Sequence, residues 1–343
     1  MKKHKFAIIG CGVIGNVHAE SISHIENAEL AAVCDVIEDK AKTLGEKYEC
    51  SYYTDIDKML KDQDIEIVNI CTPSGLHAEC GIKCAKAKKH IICEKPIEVT
   101  EEKAIHLIKA CEDVGVKLSV ISQHRFDKGI MELKKAVNEG DLGKLYFGGS
   151  HTKWYRSQEY YDSGDWRGTW ELDGGGALMN QSIHYIDLLQ YIMGPIEEIY
   201  GTCTSIGHER IEVEDEAVAS VRFKNGGLGM IEGNTNAYPG LFTRLDIYGE
   251  KASIVIENDK VKLWKYKDGS EKKVADEERN IIAGSSAKDI SNYSHILQFL
   301  DVIEAIEKNR RPSVDGYEGL KPLKIILAIY ESNNNRKPVS IKE

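Results

Sequence analysis

The chain has 343 residues, with 45 basic and 55 acidic side chains for a net charge of −10, and is 42% hydrophobic and 29% charged. At about 150 residues per domain two domains are expected, with enough chain to bury a core unaided by metals or disulfides. The acidic balance, with no run of five basic residues, excludes nucleic acid and an anionic membrane as favoured partners, and no stretch approaches the roughly 18 apolar residues of a membrane span.

The basic start runs into Phe6-Ala7-Ile8-Ile9 and then glycines. That apolar stretch is too short for a signal peptide and reads as a first strand. Short apolar runs at 5–9, 29–34, 65–70, 90–93 and 117–121 alternate with amphipathic segments at 37–48, 76–88 and 101–114. Such alternation predicts a parallel sheet covered on both faces, a doubly wound Rossmann domain over residues 1–123. The rhythm changes after Gln123. A helix is predicted over 126–139, a strand over 144–155, then strands at 198–205, 216–223, 227–236, 243–248, 252–257 and 261–266. Asn225-Gly226 and Asn258-Asp259 supply the residues hairpin turns need at positive φ. Residues 124–343 are therefore expected to form an α+β domain on a large, mainly antiparallel open sheet, serving substrate binding and oligomerisation. It closes with helices at about 290–308 and 317–332, and the polar stretch 276–289 reads as a mobile loop. Nine cysteines without a CxxC pair suggest reduced thiols and a cytoplasmic location. Cys80 and Cys84, four apart, read as buried thiols rather than metal ligands.

Gly10-Cys11-Gly12-Val13-Ile14-Gly15 fits GxGxxG between the first strand and the first helix. In that position Gly10 allows the tight turn, Gly12 the approach of a pyrophosphate, and Gly15 close helix packing. Asp35 follows Gly15 by 20 residues, at the end of the second strand, where a carboxylate accepts hydrogen bonds from the adenosine ribose. A carboxylate there repels a 2′-phosphate, so NAD is expected rather than NADP. Two further strand ends face the same cofactor under the rule for open α/β sheets. One carries Thr72-Pro73 and, further on, His77; the other carries Glu94-Lys95-Pro96. Gln123 completes the candidate cofactor contacts. Lys95 taken alone reads more readily as a surface lysine.

A third motif runs from Asp173 through Gly174-Gly175-Gly176 to Asn180 and His184. The glycines bring a loop close to a ligand, and a helix is expected from about Ala177. Asn180 and His184, four apart, would share its face with Asp187 and Tyr191. A helical histidine alone is more often a satisfied core residue. Arg125, Arg156 and Arg167 are candidate contacts for a carboxylate or diphosphate, and Trp166 for a sugar or base face. Tyr160 and Tyr161 offer the same kind of stacking face, with packing the slightly favoured reading for both. No HExxH motif and no Cys/His cluster is present, so no metal is expected.

In this order the motifs resemble the glucose–fructose oxidoreductase and inositol 2-dehydrogenase (Gfo/Idh/MocA) family over essentially the whole chain. The resemblance implies that Lys95 polarises the reacting oxygen beside the nicotinamide and that His184 exchanges the proton of the reacting hydroxyl. The stretches Trp154–Ser157, Trp166–Trp170 and Gly174–Gln181 resemble UDP-N-acetylglucosaminuronic acid 3-dehydrogenases. That resemblance implies oxidation at C3 of such a sugar nucleotide, with Lys95, Arg156, Trp166, Arg167, Asn180 and His184 at the substrate. Many family members carry an acidic residue four before the histidine; Asn180 departs from this, and an amide cannot hold the histidine's proton by charge. A homodimer or homotetramer built on the sheet of residues 195–270 is expected. The alternatives are a dehydrogenase of a free polyol such as an inositol, a hydrolase or lyase using transient oxidation, and a non-catalytic NAD-binding regulator, which would have no use for Lys95 and His184.

Overall fold

The computed structural model describes residues 3–62, 64–274 and 292–341. The stretch 276–289 lies outside them. In chain order the elements are β1 (His4–Ile9), α1 (Val13–Ser23), β2 (Ala28–Cys34), α2 (Glu38–Tyr48), β3 (Ser51–Tyr53), α3 (Ile56–Met59), β4 (Ile67–Ile70), α4 (His77–Lys86), β5 (His90–Cys93), α5 (Glu101–Val114) and β6 (Leu118–Val120). There follow α6 (Lys128–Asn138), β7 (Leu145–Lys153), α7 (Gln158–Asp162), a π-helix (Ala177–Ser182), α8 (Ile183–Met193) and β8 (Ile196–Thr204). The remainder is β9 (Glu216–Phe223), β10 (Leu228–Asn234), β11 (Phe242–Gly249), β12 (Ala252–Glu257), β13 (Lys260–Tyr266), α9 (Tyr293–Glu307), α10 (Gly316–Asn335) and β14 (Val339–Ser340).

The chain divides into two compact units, Met1–Gln123 with Ile290–Leu320, and His124–Asp289 with Lys321–Glu343. Residues 290–320 thus group with the first unit, whereas the sequence reading assigned them to the second. The reason is apolar packing. Phe299, Val302 and Ile303 of α9 join Phe6, Ile8 and Ile22 in one buried cluster, and Phe299 stacks on Phe6 at 6.2 Å between ring centres. A helix with that many buried side chains goes where they are covered, at about 1.5–3 kcal/mol each.

The first unit holds a six-stranded sheet in the order β3-β2-β1-β4-β5-β6, with every pair parallel. This is the doubly wound order, and the chain reverses direction across the sheet between β1 and β4. Strand β3, with Ser51 and Tyr52 exposed and Tyr53 half-buried at the sheet edge, is not among the strands the sequence predicts. It is too short to show a period of two.

The second unit is built on an eight-stranded sheet, β13-β12-β11-β7-β10-β9-β8-β14, in which β7–β10 is parallel and the other pairs antiparallel. Asn258 and Asp259 both adopt positive φ in the β12–β13 turn, and Gly226 does so before β10. Helix α8 covers one sheet face so closely that a Cβ on Gly148 would stand 2.6 Å from Met193 and 2.7 Å from Leu189. No helix among the described residues is long and apolar enough to cross a membrane. All nine cysteines are unpaired, and seven are buried. Cys80 and Cys84 sit within α4, where burial pushes the Cys80 thiol up to about 11 and the Cys84 thiol higher still, so both stay protonated at neutral pH.

Candidate active site

The C-terminal edge of the parallel sheet gathers the predicted cofactor residues of the first unit. Gly10 has φ +99°, and a Cβ there would stand 2.5 Å from the Cys71 carbonyl oxygen; one on Gly15 would stand 2.1 Å from the Gly10 oxygen. The fold itself therefore requires both glycines. Gly12 is different, because nothing lies within 4 Å of its Cβ position. It begins α1 without a side-chain cap, leaving the first-turn amides of Val13 and Ile14 to meet an anion. Asp35 follows β2. Its carboxylate accepts hydrogen bonds from the Cys11 amide at 2.8 Å and the Ile37 amide at 2.9 Å, which fixes it beside the glycine loop. These features fit an NAD dinucleotide: open space at Gly12, uncapped amides for the pyrophosphate, and a fixed carboxylate for the ribose. Gln123, at the end of the sheet, is buried with an Oε1 that finds no hydrogen-bond partner among the described residues.

Thr72 and Pro73 follow β4, and Glu94-Lys95-Pro96 follows β5, with the Lys95–Pro96 bond cis. His77 is buried at the start of α4 and spans the two loops, its Nδ1 2.8 Å from the Pro96 oxygen and its Nε2 3.0 Å from the Thr72 oxygen. Burial holds its pKa below the usual histidine value. Both ring nitrogens face protein carbonyls, so His77 fixes the loops that carry other candidate contacts. Glu94 is buried beneath Lys95. One oxygen meets His18 Nε2 at 2.9 Å and the other accepts the Lys95 amide at 3.1 Å. Burial alone would raise its pKa, but the hydrogen bond from His18, with the positive charge of Lys95 nearby, holds it below the usual carboxylate range.

In the second unit Gly175 and Gly176 approach protein, not open space. A Cβ on Gly175 would meet the Tyr330 hydroxyl at 2.1 Å, and one on Gly176 the Glu214 carbonyl at 1.7 Å. Glu214 closes the start of the following helix by accepting hydrogen bonds from the Gly176 amide (3.0 Å), the Leu178 amide (2.8 Å) and the Tyr330 hydroxyl (3.0 Å). Burial outweighs those bonds and pushes its pKa up to about 7. Residues 177–182 form a π-helix, so Asn180 and His184 do not lie on one regular α-helical face as the spacing predicted. The Asn180 side-chain amide donates to Asp173 Oδ1 at 2.8 Å, while Asp173 Oδ2 accepts the Gly168 amide at 2.9 Å.

His184 meets His124 ring to ring, centres 5.2 Å apart and planes 78° to each other. His124 Nδ1 lies 2.8 Å from Asp127 and 3.3 Å from Asp259. Burial opposes a charge there, yet the two carboxylates hold its pKa well above the usual histidine value. Asp187 and Tyr191, predicted to extend the active face, instead fix Arg125. Asp187 takes its Nε at 2.7 Å and Nη2 at 2.6 Å, and the guanidinium lies 4.4 Å from the Tyr191 ring centre. This buried pair neutralises Arg125, which is therefore withdrawn as an anion contact.

Arg167 lies 4.3 Å from the Tyr160 ring centre and 4.4 Å from that of Trp166, and donates to the Tyr160 hydroxyl at 2.6 Å. No ion pair joins Arg167 to a carboxylate among the described residues. Arg156 lies against Trp154 and Tyr160 at 5.0 and 5.2 Å and donates to the Tyr155 carbonyl. Two groups of metal-type side chains also come together, His18–Glu94–His295 and His124–Asp127–Asp259, neither foreseen in the sequence. His18, His124 and Glu214 carried no local signal. Asp173 stands at the head of the glycine motif, and its part in the site comes from holding Asn180 and the Gly168 amide.

A dinucleotide cradle on a doubly wound sheet, followed by a unit bearing a histidine, arginines and aromatic rings, defines a two-domain NAD-dependent oxidoreductase. Residues 4–122 match the description "Oxidoreductase family, NAD-binding Rossmann fold" and residues 130–255 match "GFO/IDH/MocA C-terminal domain". The chain belongs to the GFO/IDH/MocA family of NAD-dependent sugar and polyol oxidoreductases. It is 32% identical over 263 residues to the myo-inositol 2-dehydrogenase of Thermotoga maritima, covering 74% of this chain and 75% of that one. The WlbA dehydrogenase of Bordetella pertussis, crystallised with NADH and UDP-GlcNAcA, superposes with a TM-score of 0.88 at 31% identity, covering 100% of both chains. The WlbA dehydrogenase of Chromobacterium violaceum, in complex with the same two ligands, gives 0.89 at 33% identity, covering 100% of this chain and 97% of that one.

Proposed function

We propose that this protein oxidises the C3 hydroxyl of a UDP-N-acetylglucosaminuronic acid-type sugar nucleotide. The observation that carries this reading is Arg167, held on the faces of Tyr160 and Trp166 and joined to no carboxylate among the described residues. A guanidinium so placed keeps its charge for an anionic ligand, and the flat rings beside it suit a sugar or base. A free polyol has no anion to offer it. Similarity over the whole chain to two dehydrogenases crystallised with UDP-GlcNAcA supports the same substrate class.

NAD, when bound, supplies the hydride acceptor. Lys95, next to buried Glu94, places a positive charge where the carbonyl oxygen forms, and His184 takes the hydroxyl proton. General base catalysis of this kind typically contributes about 10²–10⁴-fold. Asn180 orients the substrate and carries no proton, because an amide does not titrate.

The test is NADH formation measured across UDP-GlcNAcA, UDP-GlcNAc, myo-inositol and free hexoses. The expected result is a kcat/KM for UDP-GlcNAcA about tenfold or more above any uncharged compound, with Arg167→Ala raising KM for the nucleotide sugar. Turnover confined to free polyols would replace this reading with oxidation of an inositol-like polyol, which the Thermotoga relative favours.

A further inference from the structure

We propose that His18, on the helix that opens the dinucleotide cradle, is a positioning residue for Lys95 and acts through the buried carboxylate of Glu94. The proposal rests on the reading of Lys95 given above. His18 is fully buried in α1, five residues beyond Val13, at the uncapped helix start. Its Nε2 is 2.9 Å from Glu94 Oε1, and Glu94 Oε2 accepts the backbone amide of Lys95 at 3.1 Å. One continuous path of hydrogen bonds and rigid helix thus runs from the amides that meet the pyrophosphate to the backbone of the lysine.

The chemistry fixes the direction of each bond. Glu94 is ionised and can only accept, so His18 Nε2 carries a proton. The opposite nitrogen, Nδ1, faces the Asn69 amide at 3.0 Å and the Cys71 thiol at 3.3 Å. Burial keeps that thiol protonated, so it too can donate. Both edges of the imidazole are therefore engaged, which sets its tautomer and its orientation. His295 lies near the same carboxylate oxygen, its Nε2 4.0 Å away. The three side chains form a metal-type group, but a cation would have to displace the proton that His18 gives Glu94 and would sit beside the charge of Lys95. Orientation of Glu94, and through it of Lys95, is the role this geometry supports.

The experiment compares His18→Leu with His18→Gln, whose terminal amide can restore a donor toward Glu94. NAD affinity, substrate KM, kcat and thermal midpoint are measured for each. His18→Leu is expected to lower kcat on the order of tenfold to a hundredfold, the scale for a displaced catalytic group. NAD affinity and KM should stay within about twofold, and His18→Gln should recover most of the rate. In a Lys95→Ala background His18→Leu should lower the residual rate no further, because the histidine acts through the lysine. If His18→Leu does not fold, isosteric Glu94→Gln carries the same split between kcat and NAD affinity. An unchanged kcat in a folded His18→Leu, or an equal further loss in the Lys95→Ala background, overturns the proposal. A Lys95→Ala enzyme with near wild-type turnover overturns the reading of Lys95 instead, and the two failures are distinct.

Discussion

Asp173 accepts a hydrogen bond from the side-chain amide of Asn180 at 2.8 Å, within the segment that leads to His184. Position 180 thus carries an amide that is itself held by a buried carboxylate. Asn180→Asp would set two carboxylates against each other, and one must bind a proton to relieve the repulsion. That group's folded pKa is then raised. Its protonated form is tolerated below the ordinary carboxylate range, and stability falls as pH rises through the raised value. The thermal midpoint of Asn180→Asp should therefore lie close to wild type near pH 4.5 and clearly below it at pH 8. An equal deficit at both values would show that the two side chains do not interact.

Lys95→Ala and His184→Ala should each lower turnover by about 10²-fold or more while leaving NAD binding nearly intact. The double variant should lose far less than the product of the single losses, since groups serving one step are not additive. Binding by fluorescence and turnover by NADH absorbance separate chemistry from folding. Should His184→Ala keep most of the wild-type rate, the base lies elsewhere.

NAD should bind at least about tenfold tighter than NADP, roughly 1.4 kcal/mol, because the Asp35 carboxylate is fixed by two amides and cannot swing away from a 2′-phosphate. Asp35→Ser should narrow the gap. Equal affinities for the wild type, measured by calorimetry, would refute the argument.

Assembly is expected on the sheet face that α8 does not cover. Register pairing puts Tyr200, Ser220, Met230 and Gly149 on one rung, with Leu228, Phe147 and Tyr248 on another. Tyr200, Met230, Leu228 and Tyr248 are exposed. An apolar face of this kind fits a second copy of the chain, giving a dimer or tetramer. Light scattering at micromolar concentration checks this, and Met230→Glu should shift the population toward monomer. A monomeric wild type would count against it.

His151 lies on that same face, between Asp246 and Glu232. Its hydrogen bonds to those carboxylates outweigh partial burial and raise its pKa to about 9. A histidine whose folded pKa is raised contributes stability that is complete below the ordinary value of about 6.5 and is lost as pH climbs through about 9. Thermal midpoints should fall between pH 6.5 and 9.5, and His151→Gln should flatten that slope. A slope unchanged by the substitution would assign it to other groups.

Much of the fold was legible because its signals are local. The glycine spacing at 10–15, the alternation of short apolar runs with amphipathic helices, and the turn residues at 225–226 and 258–259 each lie within one contiguous window. Backbone sterics and burial act on such windows directly, so the sequence alone determined the parallel first sheet, the mainly antiparallel second sheet and the dinucleotide loop. The π-helix at 177–182 escaped because it is set by Glu214, 36 residues beyond Leu178, and not by the residues it contains. Arg125 looked available for an anion until folding brought Asp187 to it from 62 positions away. His18 and Glu94 are separated by 76 residues, and only the order of the parallel strands places the first helix against the loop after β5. Tertiary structure decided these pairings because a buried charge must find its partner wherever the chain delivers one, and sequence distance carries no penalty once the sheet has formed.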